Sequence, residues 1–228
     1  MTEPACSAGV EEFYRGKNIS LIIGYSVGGG YDLYGRLVAR HMGKHIPGRP
    51  TIIPQNLTGA GSLRAASFLY SAAAKDGTVF GTFGRTIATT PLLTPASAQF
   101  DASKFAWLGS ITNEVSMCIT WHTSPVKVWK DSLEKQITLG GEGTGADPDV
   151  YALLSRPFAA PPGIPADRKS ALVTAFEQTM RDPEFLAEAE KLNMDVNPLD
   201  SKRMEHLIAE LYATPRDVVE KAAQAIAK

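Results

Sequence analysis

A chain of 228 residues can form one large domain or two small lobes. Its 44% hydrophobic and 21% charged content is ordinary for a globular protein, and a net charge of −1 gives no reason to expect nucleic acid or an anionic membrane as a partner. No apolar run approaches the ~20 residues that span a bilayer.

The first twelve residues read as a disordered leader, without the basic start and apolar core of a signal peptide. The stretch from Asn18 to Asp32 is the one around which the rest of the chain is organised. A β-branched run (Ile19, Leu21, Ile22, Ile23) breaks into Gly28-Gly29-Gly30, and a helical stripe runs on through Leu33, Leu37 and His41, with Tyr34, Val38 and Met42 beside it. A buried strand, a bare-backbone loop and a helix start present N–H groups and a positive dipole end, which favour an anion. The glycines fit neither a P-loop, since no Gly-Lys-Ser/Thr comes after them, nor the G-x-G-x-x-G dinucleotide spacing. On pattern alone, a tight turn that binds nothing is as good a reading.

Thr51–Leu57 reads as a second strand, with Pro54 placing it at an edge. Thr58-Gly-Ala-Gly-Ser62 opens a helix from Leu63 to about Ala73, with Ser62 as its N-cap. Thr78–Gly84 is a third strand, ending at Arg85. Strand, helix, strand, helix, strand implies right-handed βαβ units and a parallel sheet. The loops 25–32, 58–62 and 84–86 would then gather at its carboxyl edge, where open α/β sheets bind ligands.

The middle is less regular. Phe105–Ile111, Met117–Trp121 and Gln136–Leu139 are short strands, and 126–133 is a short helix. A second glycine-rich loop, Gly140–Asp147, leads to a helix from Asp149 that Ser155-Arg-Pro-Phe interrupts. The remainder is helical: Asp167 caps a helix to Met180, Asp182-Pro183 opens one with Phe185, Leu186, Ala189 and Leu192 inward, Ser201 caps a third, and Thr214-Pro-Arg-Asp217 opens the last.

At Tyr25-Ser-Val-Gly-Gly-Gly-Tyr-Asp32 with Arg36-Leu-Val-Ala-Arg40, and again at Asn56-Leu-Thr-Gly-Ala-Gly-Ser62, the chain resembles the receptors of tripartite tricarboxylate transporters, the Bug or TctC-type periplasmic solute-binding proteins. Lys75-Asp-Gly-Thr78, Phe83-Gly-Arg85, Ala160-Pro-Pro-Gly-Ile-Pro165 and Asp182-Pro-Glu-Phe185 fit the same resemblance, which runs from about Phe13 to Ala227. It implies an α/β, periplasmic-binding-protein type II-like fold of two lobes. A small di- or tricarboxylate or related acid would be held between them, without catalysis or cofactor, for delivery to the membrane permease subunits. Two departures stand out. The signal peptide the family carries is missing from this sequence, and Leu153-Leu154 runs almost directly into Ser155-Arg-Pro-Phe. On this reading lobe 1 comprises 13–110 and 156–228, while 111–155 is a remnant of lobe 2 with a seam near 154–156. A shortened lobe is expected to weaken closure and binding.

The ligand-binding candidates are Tyr25, Ser26, Gly28, Gly29, Gly30 and Asp32 in the first loop, and Gly59, Ala60, Gly61 and Ser62 in the second. Gly84 and Arg85 come after the third strand, and Thr144, Gly145 and Asp147 lie in the lobe 2 loop. Asp32 serves equally well as a first-turn carboxylate favoured by the helix dipole. Arg85 suits two-pronged carboxylate binding or simple solvation. Thr144 and Gly145 could equally be plain turn residues. No metal site is expected: His41, His45, His122 and His206 are scattered, His41 reads as a structural histidine, and Cys6 and Cys118 show no metal-ligand spacing. Ser26 and Ser62 lack His/Asp partners, which argues against a hydrolase. A cytoplasmic enzyme acting on a phosphorylated or carboxylated molecule, and a structural remnant that binds nothing, are the alternatives.

Overall fold

The structure is a computed structural model, and it describes residues 6–113, 122–127, 131, 135 and 156–226. The expected strands 117–121 and 136–139, most of the helix 126–133, the loop 140–147 and the helix from Asp149 lie outside the described residues.

The described residues form one six-stranded mixed sheet with helices on both faces. Its strands are β1 (Asn18–Ile23), β2 (Thr51–Asn56), β3 (Val79–Thr82), β4 (Ala106–Ser110), β5 (Pro157–Ala160) and β6 (Leu199–Asp200), in the spatial order β2-β1-β3-β5-β4-β6. The main helices are α1 (Cys6–Tyr14), α2 (Gly30–Met42), α3 (Leu63–Ser71), α4 (Thr90–Leu93), α5 (Ala166–Thr179), α6 (Pro183–Lys191), α7 (Ser201–Tyr212) and α8 (Arg216–Ile226).

β1 pairs in parallel with β2 and with β3, as the βαβ pattern requires. β5 enters antiparallel between β3 and β4, with Phe158 opposite Thr82, and β4 runs antiparallel to both β5 and β6. The loops after β1, β2 and β3, the end of β4 and the start of β5 therefore share one sheet edge. Because β2 and β3 lie on opposite sides of β1, the crevice above β1 is a topological switch point.

Alternation along the strands feeds two cores. Ala106, Leu108, Phe158 and Ala160 join Leu21, Ile23 and Phe80 beneath α1, α2, α5 and α6. Trp107 and Ala159 face the other way, with Phe83, Ala66 and Leu69 of α3 and Met204 and Ile208 of α7. Every described residue of β4 and β5 is buried, as expected for strands covered on both faces.

Several expectations from the sequence are corrected. Residues 6–12 belong to a helix and not to a disordered leader, with Val10 and Tyr14 in the core. Pro157-Phe-Ala-Ala160 is a central strand, not merely an interruption of a helix. Ser62 does not cap α3: it lies at φ 70, and no side-chain bond reaches the helix start. Ser201 is the first residue of α7, while Asp200 caps it by accepting the Arg203 N–H at 2.7 Å. Asp167 sits inside the first turn of α5 rather than before it. Asp182 does cap α6, through the Glu184 N–H at 2.9 Å, but Leu186 and Leu192 face outward.

Candidate functional site

The three loops above β1, β2 and β3 meet, and each is braced by the next. Asp32, buried in the first turn of α2, organises the first. Its Oδ2 accepts the Gly28 N–H at 2.9 Å, both oxygens accept from Arg36 Nε at 3.0 and 2.9 Å, and Oδ1 accepts from Asn56 Nδ2 at 2.8 Å. Asn56, the last residue of β2, also donates to the Tyr25 carbonyl at 2.8 Å, and its own Oδ1 accepts from Arg36 Nη2 at 2.8 Å. Burial alone would raise the Asp32 pKa. The bonds from Arg36, Gly28 and Asn56 outweigh it and hold the carboxyl below its ordinary range. With 1% of its surface exposed and its oxygens engaged inside the loop, Asp32 shapes the cradle instead of projecting into it. The Gly28 N–H, a donor the sequence offered to the ligand, is likewise turned inward.

The second loop has positive φ from Gly59 to Ser62. Gly59 (φ 132), Ala60 (φ 48), Gly61 (φ 58) and Ser62 (φ 70) come one after another. Each of the two residues with a Cβ costs about 1–2 kcal/mol in this region. Ser62 is held there by a specific bond: its buried Oγ accepts the Gly84 N–H at 2.8 Å and so joins the second loop to the third. A Cβ on Gly24 would lie 2.4 Å from that of Ser62, so the loops pack at a distance only glycine allows.

The third loop is tied back to the first. The Arg85 N–H donates to the Tyr31 hydroxyl at 3.2 Å, and Tyr31 stacks on Tyr25 with ring centroids 4.4 Å apart. Of the expected residues, Ser26, Gly28, Gly29, Gly30, Gly59 and Ala60 are exposed on the crevice edge, and Tyr25, Gly61 and Arg85 are partly so. Ser62, Gly84 and Asp32 are buried struts. Thr144, Gly145 and Asp147 lie outside the described residues.

One residue of this edge was missed from the sequence. Arg156 immediately precedes β5, and its N–H donates to Ser110 Oγ at 3.0 Å. Its guanidinium lies over the Tyr34 ring at 4.4 Å and the Tyr31 ring at 5.3 Å. Its Nη1 comes within 3.3 Å of where a Cβ on Gly30 would sit. Nothing in the local pattern marks it. Only the antiparallel placement of β5 brings it to the first turn of α2.

A metal reading fails on chemistry. Among the described residues, His41, Asp182 and Glu184 bring potential ligand atoms within 4.8 Å of one another. The Lys44 ammonium lies 2.6 Å from Asp182 and 2.5 Å from Glu184, so a cation already occupies that position. His41 and His45 are engaged too, with Glu188 and Asp182, both at 2.6 Å. A separate cavity of about 410 Å³, lined by Phe105, Trp107, Ile164 and Ile208, opens at the opposite end of β4 and does not communicate with the glycine loops through any of its lining residues.

The same fold recurs among solved solute-binding proteins. A TctC solute-binding protein from Polaromonas aligns at 14% identity with a TM-score of 0.67, over 91% of this chain and 99% of that one. MatC from Rhodopseudomonas palustris, solved with bound malate, aligns at 15% identity and 0.59, over 90% and 99%. A second R. palustris protein, solved with adipate, aligns at 14% identity and 0.61, over 92% and 98%. No protein-family model and no curated protein matches the sequence. The chain therefore has the periplasmic-binding-protein type II-like α/β fold of the Bug/TctC solute-binding proteins.

Proposed function

We propose that this chain is an extracytoplasmic solute-binding protein that captures a small organic carboxylate for a tripartite tricarboxylate-type transporter, by binding and without chemistry. The observation that carries this reading is the convergence of three mutually braced loops on the N-terminus of α2, at the switch point of the sheet. Such an edge offers first-turn N–H groups and a positive dipole end to one anion. The fold neighbours solved with malate and with adipate support the same ligand class.

On this reading the exposed groups of Ser26, Gly29, Gly30, Gly59 and Ala60, together with Tyr25, Gly61 and Arg85, receive the carboxylate. Asp32, Ser62 and the N–H groups of Gly28 and Gly84 preset the loop shapes. A second lobe closing over the ligand would exclude water. The periplasm as the site of action and the permease subunits as partners belong to the same reading. Among the described residues no helix is long and apolar enough to cross a membrane.

Calorimetric titration with succinate, malate, citrate, glutamate and benzoate tests the proposal. Saturable binding of at least one acid is the expected result. Failure to bind any of these acids overturns the ligand class, and tight binding by the 228-residue chain overturns the expectation that a shortened second lobe impairs closure.

A further inference from the structure

We propose that the groove between α2 and the open edge of β2 is a docking site for an acidic segment of a partner protein, with Arg49 as its anchor. The groove lies outside the three glycine-rich loops, and its use does not depend on what they bind.

The groove encloses about 530 Å³. Arg36, Arg40, Lys44 and Arg49 line it, and among the described residues of its wall there is no carboxylate. In a chain whose net charge is −1, four cations on one wall are a local excess. Ala39 and Pro54 add apolar surface beside them. Three of the cations have counter-ions within the chain: Arg36 holds Asp32, Arg40 holds Glu188, and Lys44 holds Asp182 and Glu184. These pairs fix the side chains and offset much of their charge. Arg49 differs from them. It is exposed, and among the described residues its guanidinium has no hydrogen-bond or ion-pair partner.

The backbone holds Arg49 where a side chain is costly. Ile46-Pro47-Gly48-Arg49 is a type II turn: the Arg49 N–H donates to the Ile46 carbonyl at 2.9 Å, Pro47 takes the second position, and Gly48 sits at φ 85. The turn is packed onto α1, where a Cβ on Gly48 would lie 2.5 Å from the Glu11 carbonyl oxygen. Arg49 itself lies at φ 49, directly before Pro50. A side chain at that φ costs strain that glycine would not, and a proline after it restricts the residue further. The main chain is therefore fixed, while the side chain it strains projects to solvent. Strain of this kind, kept at a rigid and exposed turn, fits a residue whose contact lies outside its own chain.

The edge of β2 decides how a partner can bind. The Thr51 N–H reaches the Lys17 carbonyl at 3.3 Å and the Leu57 N–H reaches the Ile23 carbonyl at 2.8 Å. Odd-numbered residues therefore face β1, while Ile52, Pro54 and Asn56 face the open edge. Pro54 has no N–H to give, so a guest strand would find its ladder broken in the middle. Recognition then falls to side chains, with carboxylates for the guanidinium forks and apolar groups for Ala39 and Pro54. A flat anionic membrane would meet cations recessed in a hollow, and inorganic phosphate would leave the apolar surface uncovered. An acidic segment that also carries apolar side chains matches both features.

The probe is a fluorescent peptide of Glu-Glu-Leu repeats, read by anisotropy against the 228-residue chain, with inorganic phosphate as competitor and phosphatidylglycerol vesicles in a parallel sedimentation assay. Saturable peptide binding that weakens as salt rises is expected. Arg49→Gly and Arg49→Gln should each weaken it roughly 5- to 20-fold. Lys202→Ala removes a charge from α7, which packs on β4 far along the sheet from β2, and should change it by less than about 2-fold. Arg49→Gly should melt no lower than the unaltered chain, because glycine relieves the strain at φ 49. Equal losses in Lys202→Ala and the Arg49 variants would reduce the effect to net charge. Displacement of the peptide by equimolar phosphate would reduce it to any anion, and vesicle binding without peptide binding would make the surface a membrane contact. Each of these results overturns the inference, as does the absence of peptide binding or a lower melting temperature for Arg49→Gly.

Discussion

Asp32 accepts the N–H of Gly28 at 2.9 Å, and this one bond closes the triple-glycine loop onto the first turn of its own helix. The bond turns a flexible segment into a fixed shape, because the same carboxylate is gripped by Arg36 and Asn56. Asp32→Ala removes an acceptor from three donors at once and leaves the partly buried Arg36 charge without its i,i+4 partner. A loss of about 2–4 kcal/mol in urea unfolding is expected, with carboxylate binding weakened in parallel. Asp32→Asn should recover little, since its amide group brings two more donors to a site already supplied with them. Stability unchanged in either variant would rule out the bracing role.

Ser62 offers a cleaner separation of hydrogen bonding from strain. Replacement by Ala keeps a Cβ at φ 70 and deprives the Gly84 N–H of its buried acceptor. Ser62→Ala should therefore lose about 1–3 kcal/mol. Ser62→Gly loses the same bond but relieves the left-handed strain, so it should be the more stable of the two by about 1 kcal/mol. Paired denaturant titrations measure the difference, and equal stabilities would mean that the left-handed run carries no strain at this residue.

These two residues mark the limit of what local pattern could tell. The loops were legible, because glycines after β-branched runs have few other uses, and their gathering at one sheet edge came from βαβ order. The roles within them were not. A carboxylate in a first helical turn reads the same whether it faces ligand or loop, and a serine before a helix reads as a cap until φ shows otherwise. Pro157-Phe-Ala-Ala160 is too short and too rich in small residues to announce a strand, so β5 was missed and Arg156 with it. Leu186 and Leu192 fell on the apolar stripe of α6 yet are exposed, because Phe185 and Ala189 alone meet the core. α1 escaped notice because a nine-residue helix held by tertiary contacts carries little signal of its own.

That α1 is integral can be tested directly. Tyr14 is fully buried and donates to the Gly77 carbonyl at 3.0 Å, with burial pushing its pKa well up. Tyr14→Phe should lose about 1–2 kcal/mol by leaving that carbonyl without its donor. Gly48→Ala should lose more, about 3 kcal/mol or above, since a Cβ there would lie 2.5 Å from the Glu11 carbonyl oxygen at a φ of +85. Removal of residues 1–15 should destabilise at least as much as Gly48→Ala. Thermal unfolding that ignores the truncation would return residues 6–12 to the status of a leader.

The contact between α2 and α6 sets the acid limit of the fold. Asp182, 6% exposed, receives Lys44 at 2.6 Å, His45 at 2.6 Å and the Glu184 N–H at 2.9 Å. Burial by itself would raise its pKa, but these partners together hold it far below the usual carboxylate range. Glu188 is also depressed, by His41 and Arg40, against a smaller opposing effect of burial. Both folded-state values lie under the unfolded ones, so the unfolded chain binds more protons in acid. The stability these groups contribute is therefore complete above the unfolded carboxylate pKa, near pH ~4, and is lost as pH falls from there toward the folded values. Asp182→Asn removes the larger of the two contributions together with its pH dependence. Its melting temperature should be lower than that of the unaltered chain at neutral pH, and the gap should narrow as pH drops below about 4. Melting curves of the two proteins between neutral pH and about pH 2.5 decide the matter, and parallel acid limbs would mean that Asp182 does not carry the acid sensitivity.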